Sequence, residues 1–256
     1  MQWYRAPGVT LSALTVTPGG RSLYAVTMGC GPRKILAAAG YHANEWLTSL
    51  ALWGAMERLW TEHPTVLEQG TLLAVPCVNP DGAALVMGLA AGQEAACTEA
   101  PEDWRANLRG VDLNLHFPAA WETVCTRKPT SPGHRDYPGQ APLCEPETRA
   151  LAAWTEEQMP EALLALHSQG RELYADFLGR VPDPVLAEKL SRISGYPLVT
   201  TPPEASGGGH KDWFIHRFDR PGFTAELGLG ENPLPLSQLP AMTATVTKLL
   251  LGLLLP

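Results

Sequence analysis

Lys34-Ile-Leu-Ala-Ala-Ala-Gly40-Tyr41-His42-Ala43-Asn44-Glu45-Trp46 joins an apolar run too short for a helix to a segment of helical periodicity. The run is bounded by Pro32 and Gly40, which predicts a buried strand. Beyond Asn44, the residues Trp46, Leu47, Leu50, Trp53, Met56, Leu59 and Trp60 recur at helical spacing until Pro64 ends the pattern. A buried strand feeding a helix is the first half of an α/β unit. Its junction carries a His and a Glu three residues apart.

Outward from this junction the chain repeats the theme. Residues 11–16 and 22–27 alternate apolar and polar around Pro18-Gly19-Gly20, which predicts a hairpin. Residues 71–78 form a second apolar strand, closed by a turn at Asn79-Pro80-Asp81-Gly82. A helix over 145–158 leads into a strand over 162–166. A helix over 184–195, a buried strand over 222–227 and a closing helix from about Leu236 complete the series. The expectation is an α/β fold in one domain over 1–256, with a mixed, mostly parallel central sheet and helices on both faces. In such folds ligands sit at the carboxyl ends of the strands. The polar, Pro- and Gly-rich stretches 88–104, 117–144 and 200–212 are long enough to predict functional loops.

Composition narrows the function. The 256 residues, 45% of them hydrophobic, can supply one sizeable core. A net charge of −7 with no Lys/Arg cluster argues against nucleic acid as a partner. Cys30, Cys77, Cys97, Cys125 and Cys144 are odd in number and scattered, so neither a disulfide framework nor a thiolate metal site is indicated. The start Met1-Gln-Trp-Tyr lacks a secretory signal, which predicts a cytoplasmic protein. The apolar run 249–255 is far shorter than the ~20 residues that span a bilayer, so no membrane span is expected.

A bare His-x-x-Glu is as readily a strand cap beside a helix-start carboxylate as a metal site. Two further strand ends change the reading. His167 follows the apolar run Ala162-Leu-Leu-Ala-Leu-Leu166, and Glu226 sits alone in Gly222-Phe-Thr-Ala-Glu-Leu-Gly228, where an unpaired buried carboxylate is costly. Catalytic zinc takes three His or carboxylate ligands and leaves a fourth position open. The three strand ends therefore supply two His, His42 and His167, and two Glu, Glu45 and Glu226.

These residues and the motifs between them resemble the zinc carboxypeptidase family. Val78-Asn-Pro-Asp-Gly82, Gly110-Val-Asp-Leu-Asn114, Tyr137-Pro-Gly139, Glu145-Pro-Glu-Thr148 and Ala205-Ser-Gly-Gly208 before Asp212-Trp213 occur in the family's order across nearly the whole chain. Within the family the chain is most similar to the γ-D-glutamyl-L-diamino acid endopeptidases of peptidoglycan stem peptides. That similarity rests on Trp104-Arg-Ala-Asn-Leu-Arg-Gly-Val-Asp-Leu-Asn114, Phe117-Pro118, His167-Ser-Gln-Gly170, Lys211-Asp-Trp-Phe-Ile215 and Arg220-Pro-Gly-Phe-Thr-Ala-Glu-Leu-Gly228.

The resemblance implies a metallopeptidase that cleaves the γ-D-glutamyl–meso-diaminopimelate bond of muropeptides, with one Zn2+ per chain held by His42, Glu45 and His167, zinc activating a water and Glu226 taking its proton. It implies that Arg109, just before Gly110-Val-Asp-Leu-Asn114, stabilises the oxyanion and that Asn114 binds a substrate carboxylate. Lys211, or His210, is expected to read the second amino-acid centre of diaminopimelate, with Ser206 also at the substrate. A cis peptide between Ser168 and Gln169 is implied as well. His63 and His134 are expected at the surface, His116 in the core or lining the pocket, and His216 in a structural role. Two departures stand out: Leu115 replaces the Arg with which carboxypeptidases grip a terminal carboxylate, and Pro203 replaces their mobile Tyr. An N-acyl amino-acid deacylase, a carboxypeptidase of other specificity and a non-catalytic binding module are the competing readings.

Overall fold

A computed structural model describes residues 3–90 and 100–255. Seven strands, β1 (Val9–Val16), β2 (Ser22–Gly29), β3 (Arg33–Ala39), β4 (Gly70–Val75), β5 (Ala162–His167), β6 (Glu172–Tyr174) and β7 (Gly222–Glu226), form one sheet in the order β1-β2-β4-β3-β5-β7-β6. The four strands β4-β3-β5-β7 run parallel, and β1, β2 and β6 join by antiparallel pairing. Parallel pairing is therefore confined to the centre, and the expectation of a mostly parallel sheet holds there alone. A hairpin can only be antiparallel, which fixes β1 and β2, and β6 turns back beside β7 after the His167 strand end.

The helices are α1 (Trp46–Glu62), α2 (Val66–Gln69), α3 (Pro80–Val86), α4 (Trp121–Cys125), α5 (Pro146–Gln158), α6 (Pro184–Ser194), α7 (His210–Phe218) and α8 (Leu239–Leu254). Strand residues alternate between the two faces. Ile35, Ala37 and Ala39 pack with Leu47, Leu52, Leu190 and Leu250 from α1, α6 and α8, while Ala38 packs with Leu151, Trp213 and Ile215 from α5 and α7. The near-continuous apolar runs of β3 and β5 follow from this two-sided burial. The alanines of β3 let the α1 side chains close onto the sheet.

Two local expectations change. Asn79-Pro-Asp-Gly82 is a helix start rather than a turn: Gly82 N–H donates to Asn79 Oδ1 at 2.9 Å and Pro80 occupies the first helical turn of α3. The stretch 200–212 ends in α7, whose amphipathic start at His210 is masked by the preceding glycines. Of the long loop 88–104, residues 91–99 lie outside the described residues, Cys97 among them. The loop 117–144 is fastened at both ends: Phe117 N–H donates to Gly208 O (2.8 Å), Asp112 N–H to Tyr137 O (2.8 Å) and Leu143 N–H to His116 O (2.9 Å). Gly110, at φ +74, lets the chain pass so close to Gly133 that an added Cβ would lie 2.2 Å from its nitrogen. That contact seats the second half of the loop against the Asp112 segment.

At the start of α5, Glu147 is fully buried, with Asn107 Nδ2 at 3.5 Å from its Oε1. Burial, reinforced by the Glu145 charge, pushes its carboxyl up to about 7 from an ordinary 4.5. A raised folded-state value means that the stability it lends is complete below about pH 4.5 and is lost as pH rises through about 7. Glu147→Gln stays neutral throughout. Its melting temperature relative to wild type should therefore rise by a few degrees between pH 4.5 and pH 8, on the order of 1–3 kcal/mol. Parallel melting curves across that range would contradict this.

Candidate active site

Three parallel strand ends meet at one cleft of about 650 Å3. β3 ends at Ala39, Gly40 takes φ +64, and His42 follows in extended backbone before a short 3-10 turn, Ala43–Glu45, that delivers Glu45 to the start of α1. Ala43 N–H donates to Arg105 O at 2.9 Å, which ties this turn to the 105–112 segment. His167 is the last residue of β5, and Glu226, the last of β7, stands directly opposite it. All three of His42, Glu45 and His167 are buried.

His42 Nδ1 lies 2.8 Å from Glu45 Oε1, His167 Nδ1 lies 3.1 Å from Glu45 Oε2, and the two Nδ1 atoms lie 3.3 Å apart. Among the described residues this is the one group of three or more His, Cys, Asp or Glu side chains placed to hold a metal ion. Two ligands on a tetrahedral zinc, each ~2.0–2.1 Å from it, lie roughly 3.3 Å apart, so the donor set fits zinc. Burial lowers the His167 pKa, favouring the neutral form that ligates. Burial raises Glu45, but His42 and His167 outweigh it and hold the carboxyl well below its usual range. Behind His42, Asp112 Oδ1 stands 3.2 Å from Nε2, a carboxylate placed to orient the ring. Burial, with Glu45 adding to it, raises Glu226 to about 8.

Of the two arginines in this segment, Arg105 lines the cleft and Arg109 does not. Arg109 is half-exposed, lies outside the cleft lining, and donates through Nε to Glu145 Oε2 at 2.9 Å. Asn107 Oδ1 accepts from both Arg109 N–H (3.0 Å) and Val111 N–H (3.1 Å), and this tight turn directs Arg109 outward. Arg105, four residues earlier, lines the cleft, with Nη1 3.4 Å from Glu45 Oε1 and Nη2 3.0 Å from His42 Nε2. Both arginines stand in Trp104-Arg-Ala-Asn-Leu-Arg109, and adjacency to Gly110 singled out the one that lies outside the cleft lining.

Asn114 and Leu115 line the cleft, and Asn114 N–H donates to Asp112 Oδ1 at 2.9 Å. Lys211 lines it too, but its ammonium donates to Asp176 O and pairs with Asp212 Oδ1 at 2.6 Å. His210 does not reach the cleft. It is fully buried, bonded through Nδ1 to Tyr41 Oη (2.7 Å), stacked on Phe117 and Trp213, and held neutral by burial at about 3. Ser206 is buried beside the lining residues Ala205 and Gly207 without lining the cleft itself. Pro203 also stands outside the lining, its carbonyl accepting from Arg127 Nη1 at 3.0 Å. His116 is core, packed on Thr148 Oγ1 (2.6 Å), and His216 and His134 are exposed. The Ser168–Gln169 peptide is cis. Sequence reasoning missed Arg105, Asp112 and a second cleft-lining arginine, Arg135.

Comparison with known proteins accords with this geometry. The family model described as zinc carboxypeptidase matches residues 5–247. The chain is 39% identical over 249 residues to the gamma-D-glutamyl-L-diamino acid endopeptidase 1 of Lysinibacillus sphaericus, covering 87% of this chain and 62% of that protein. It is 32% identical over 188 residues to murein peptide amidase A of Escherichia coli K12, covering 70% and 64% respectively. Bovine thrombin-activatable fibrinolysis inhibitor, solved with a tick carboxypeptidase inhibitor, shares the fold at a TM-score of 0.82 and 20% identity over 97% of this chain and 90% of that one. The chain thus spans about three fifths of the endopeptidase's length, nearly all of it matched by the family model. It belongs to the zinc carboxypeptidase family.

Proposed function

We propose that the chain hydrolyses the amide bond between γ-D-glutamate and meso-diaminopimelate in peptidoglycan stem peptides. The observation that carries this reading is the cleft itself: an intact His42–Glu45–His167 set with Glu226 alongside, but Leu115 where a carboxypeptidase needs a cation. The relatives named for a γ-D-glutamyl-diamino acid bond and for murein peptides support the substrate class.

His42, Glu45 and His167 would hold zinc, which supplies an activated water nucleophile and Lewis-acid polarisation of the scissile carbonyl. With zinc bound, His42 would carry its proton on Nε2, where Asp112 Oδ1 at 3.2 Å would accept it and fix the tautomer. Glu226 accepts the proton of the attacking water and returns it to the departing amine; burial and the neighbouring Glu45 suit it to hold a proton between the two steps. The Arg105 guanidinium faces the side where negative charge develops on the carbonyl oxygen.

The order β3-β5-β7-β6 gives the cleft two ends. Proton delivery by Glu226 places the departing amine, and with it the diamino acid, at the β7–β6 end. Lys211 and Asp212 lie at that end, one charge of each sign, and the distal centre of diaminopimelate is itself an ammonium with a carboxylate.

Incubation of the zinc-loaded protein with L-Ala-γ-D-Glu-meso-diaminopimelate should release L-Ala-D-Glu, read by mass spectrometry. Preferred cleavage of a C-terminal carboxypeptidase substrate, or of an N-acyl amino acid, would overturn the assignment. Glu226→Gln should retain zinc and lose about 10²–10⁴-fold in kcat. Arg105→Gln should lose about 10²–10³-fold in kcat, whereas Arg109→Gln should stay within about threefold of wild type; the reverse order would restore Arg109 to the site. Lys211→Met should raise KM for the diaminopimelate substrate with zinc content unchanged, and an unaltered KM would remove Lys211 from recognition.

A further inference from the structure

Three cations line the cleft, and two are already answered. Lys211 is paired with Asp212, and Arg105 faces Glu45 at 3.4 Å and Asp136 at 4.0 Å. Arg135 has no carboxylate and no hydrogen-bond acceptor among the described residues, although it lines the same cleft. Its backbone is nevertheless held in place. Gly133 N–H donates to Gly110 O (3.1 Å), Tyr137 N–H to His134 O (3.1 Å) and Asp112 N–H to Tyr137 O (2.8 Å). The adjacent Asp136 is anchored by Lys128 Nζ at 3.0 Å on one oxygen and faces Arg105 with the other. An unpaired guanidinium is thus mounted on a turn stitched to the segment that backs His42.

Its place along the cleft is set by the same topology. Asp136 joins Arg135 to the Arg105 side, and Arg105 contacts His42 beyond β3, whereas Glu226 and Lys211 belong to the β7–β6 end. If the amine leaves toward Glu226, the acyl residue lies toward Arg105 and Arg135. A γ-linked glutamyl residue differs here from most peptide residues. Its bond uses the side-chain carboxyl, so its α-carboxylate stays free and charged on the acyl side of the scissile bond. An α-linked residue other than glutamate has no carboxylate at that distance, and α-linked glutamate bears its amino group beside the scissile carbonyl instead of beside the carboxylate.

We propose that Arg135 is the specificity-determining residue for the acyl side, binding the free α-carboxylate of the γ-D-glutamyl residue. The assignment rests on the peptidase reading above and extends it to the recognition of the γ-linkage. It explains how the site does without a cation at position 115: the carboxylate that matters for recognition is on the other side of the bond being cut.

The test uses two substrates, L-Ala-γ-D-Glu-meso-diaminopimelate and the same tripeptide with the glutamyl α-carboxylate converted to the amide. Wild type should prefer the free acid by about 10- to 30-fold in kcat/KM, the lower part of the range for a hydrogen bond to a charged group. Arg135→Gln should collapse that preference to within about threefold, chiefly through a higher KM for the acid. Arg135→Lys should restore part of it, since charge returns without the two-pronged geometry. Zinc content and melting temperature of the variants should match wild type. If wild type cuts the acid but Arg135→Gln keeps the full preference, the role of Arg135 is refuted while the peptidase reading stands. If wild type cuts neither tripeptide, both fall.

Discussion

Two histidine ring nitrogens 3.3 Å apart, each also within about 3 Å of one carboxylate, are the constraint on which the molecule is organised. Without a metal, the Glu45 carboxylate faces both rings; burial and Arg105 push His42 down, but Glu45 and Asp112 outweigh them and raise it to about 9, while burial keeps His167 low, so a cationic charge is favoured at this buried point. The arrangement makes sense as a socket whose free energy is realised when a metal fills it. Much of the fold serves that socket. β3 and β5 must lie side by side and in parallel for His42 and His167 to arrive at the same sheet edge, and the Ala-rich face of β3 lets α1 pack closely enough to present Glu45 from its first turn.

Around the socket, charges are arranged in alternating order outward: the Glu45 carboxylate, the Arg105 guanidinium, the Asp136 carboxylate and the Lys128 ammonium follow one another. Each member beyond the first compensates the charge before it, so the site can hold Arg105 close to a metal without leaving an unpaired charge in the protein. Arg135 breaks the alternation, and Lys211 at the opposite end is compensated within the protein by Asp212. The two ends of the cleft therefore differ in what they ask of a ligand: a net anion on one side and a dipolar group on the other.

The strands were legible in sequence because apolar runs are local, whereas the metal-ligand set, with His42 and His167 125 residues apart, was legible only through several strand ends and motifs read together. Apolar runs such as 162–166 reveal buried strands, and a His or Glu at the end of each is unusual enough to be read without three-dimensional information. The edges of the sheet were less legible, since β6 is only Glu172–Tyr174 and its direction depends on how the chain returns after His167. Asn79-Pro-Asp-Gly reads equally well as a turn or a capped helix start, and only the continuation through Ala83–Val86 favours the helix. Side-chain direction within loops was not legible at all. Arg105 and Arg109 occupy one short segment, and the Asn107 turn between them, a matter of two hydrogen bonds, sends one inward and the other out to Glu145. His210 and Lys211 are consecutive on α7, so a helical step of about 100° puts one against Tyr41 in the core and the other at the cleft.

The central claim is that His42, Glu45 and His167 together bind zinc. Anomalous diffraction recorded on either side of the zinc absorption edge, from crystals of protein supplied with one equivalent of zinc, tests it most directly. The account predicts a single strong peak about 2.0–2.2 Å from His42 Nδ1, from a Glu45 carboxylate oxygen and from His167 Nδ1. No peak there, or a peak bound by other residues while this socket stays empty, would contradict it.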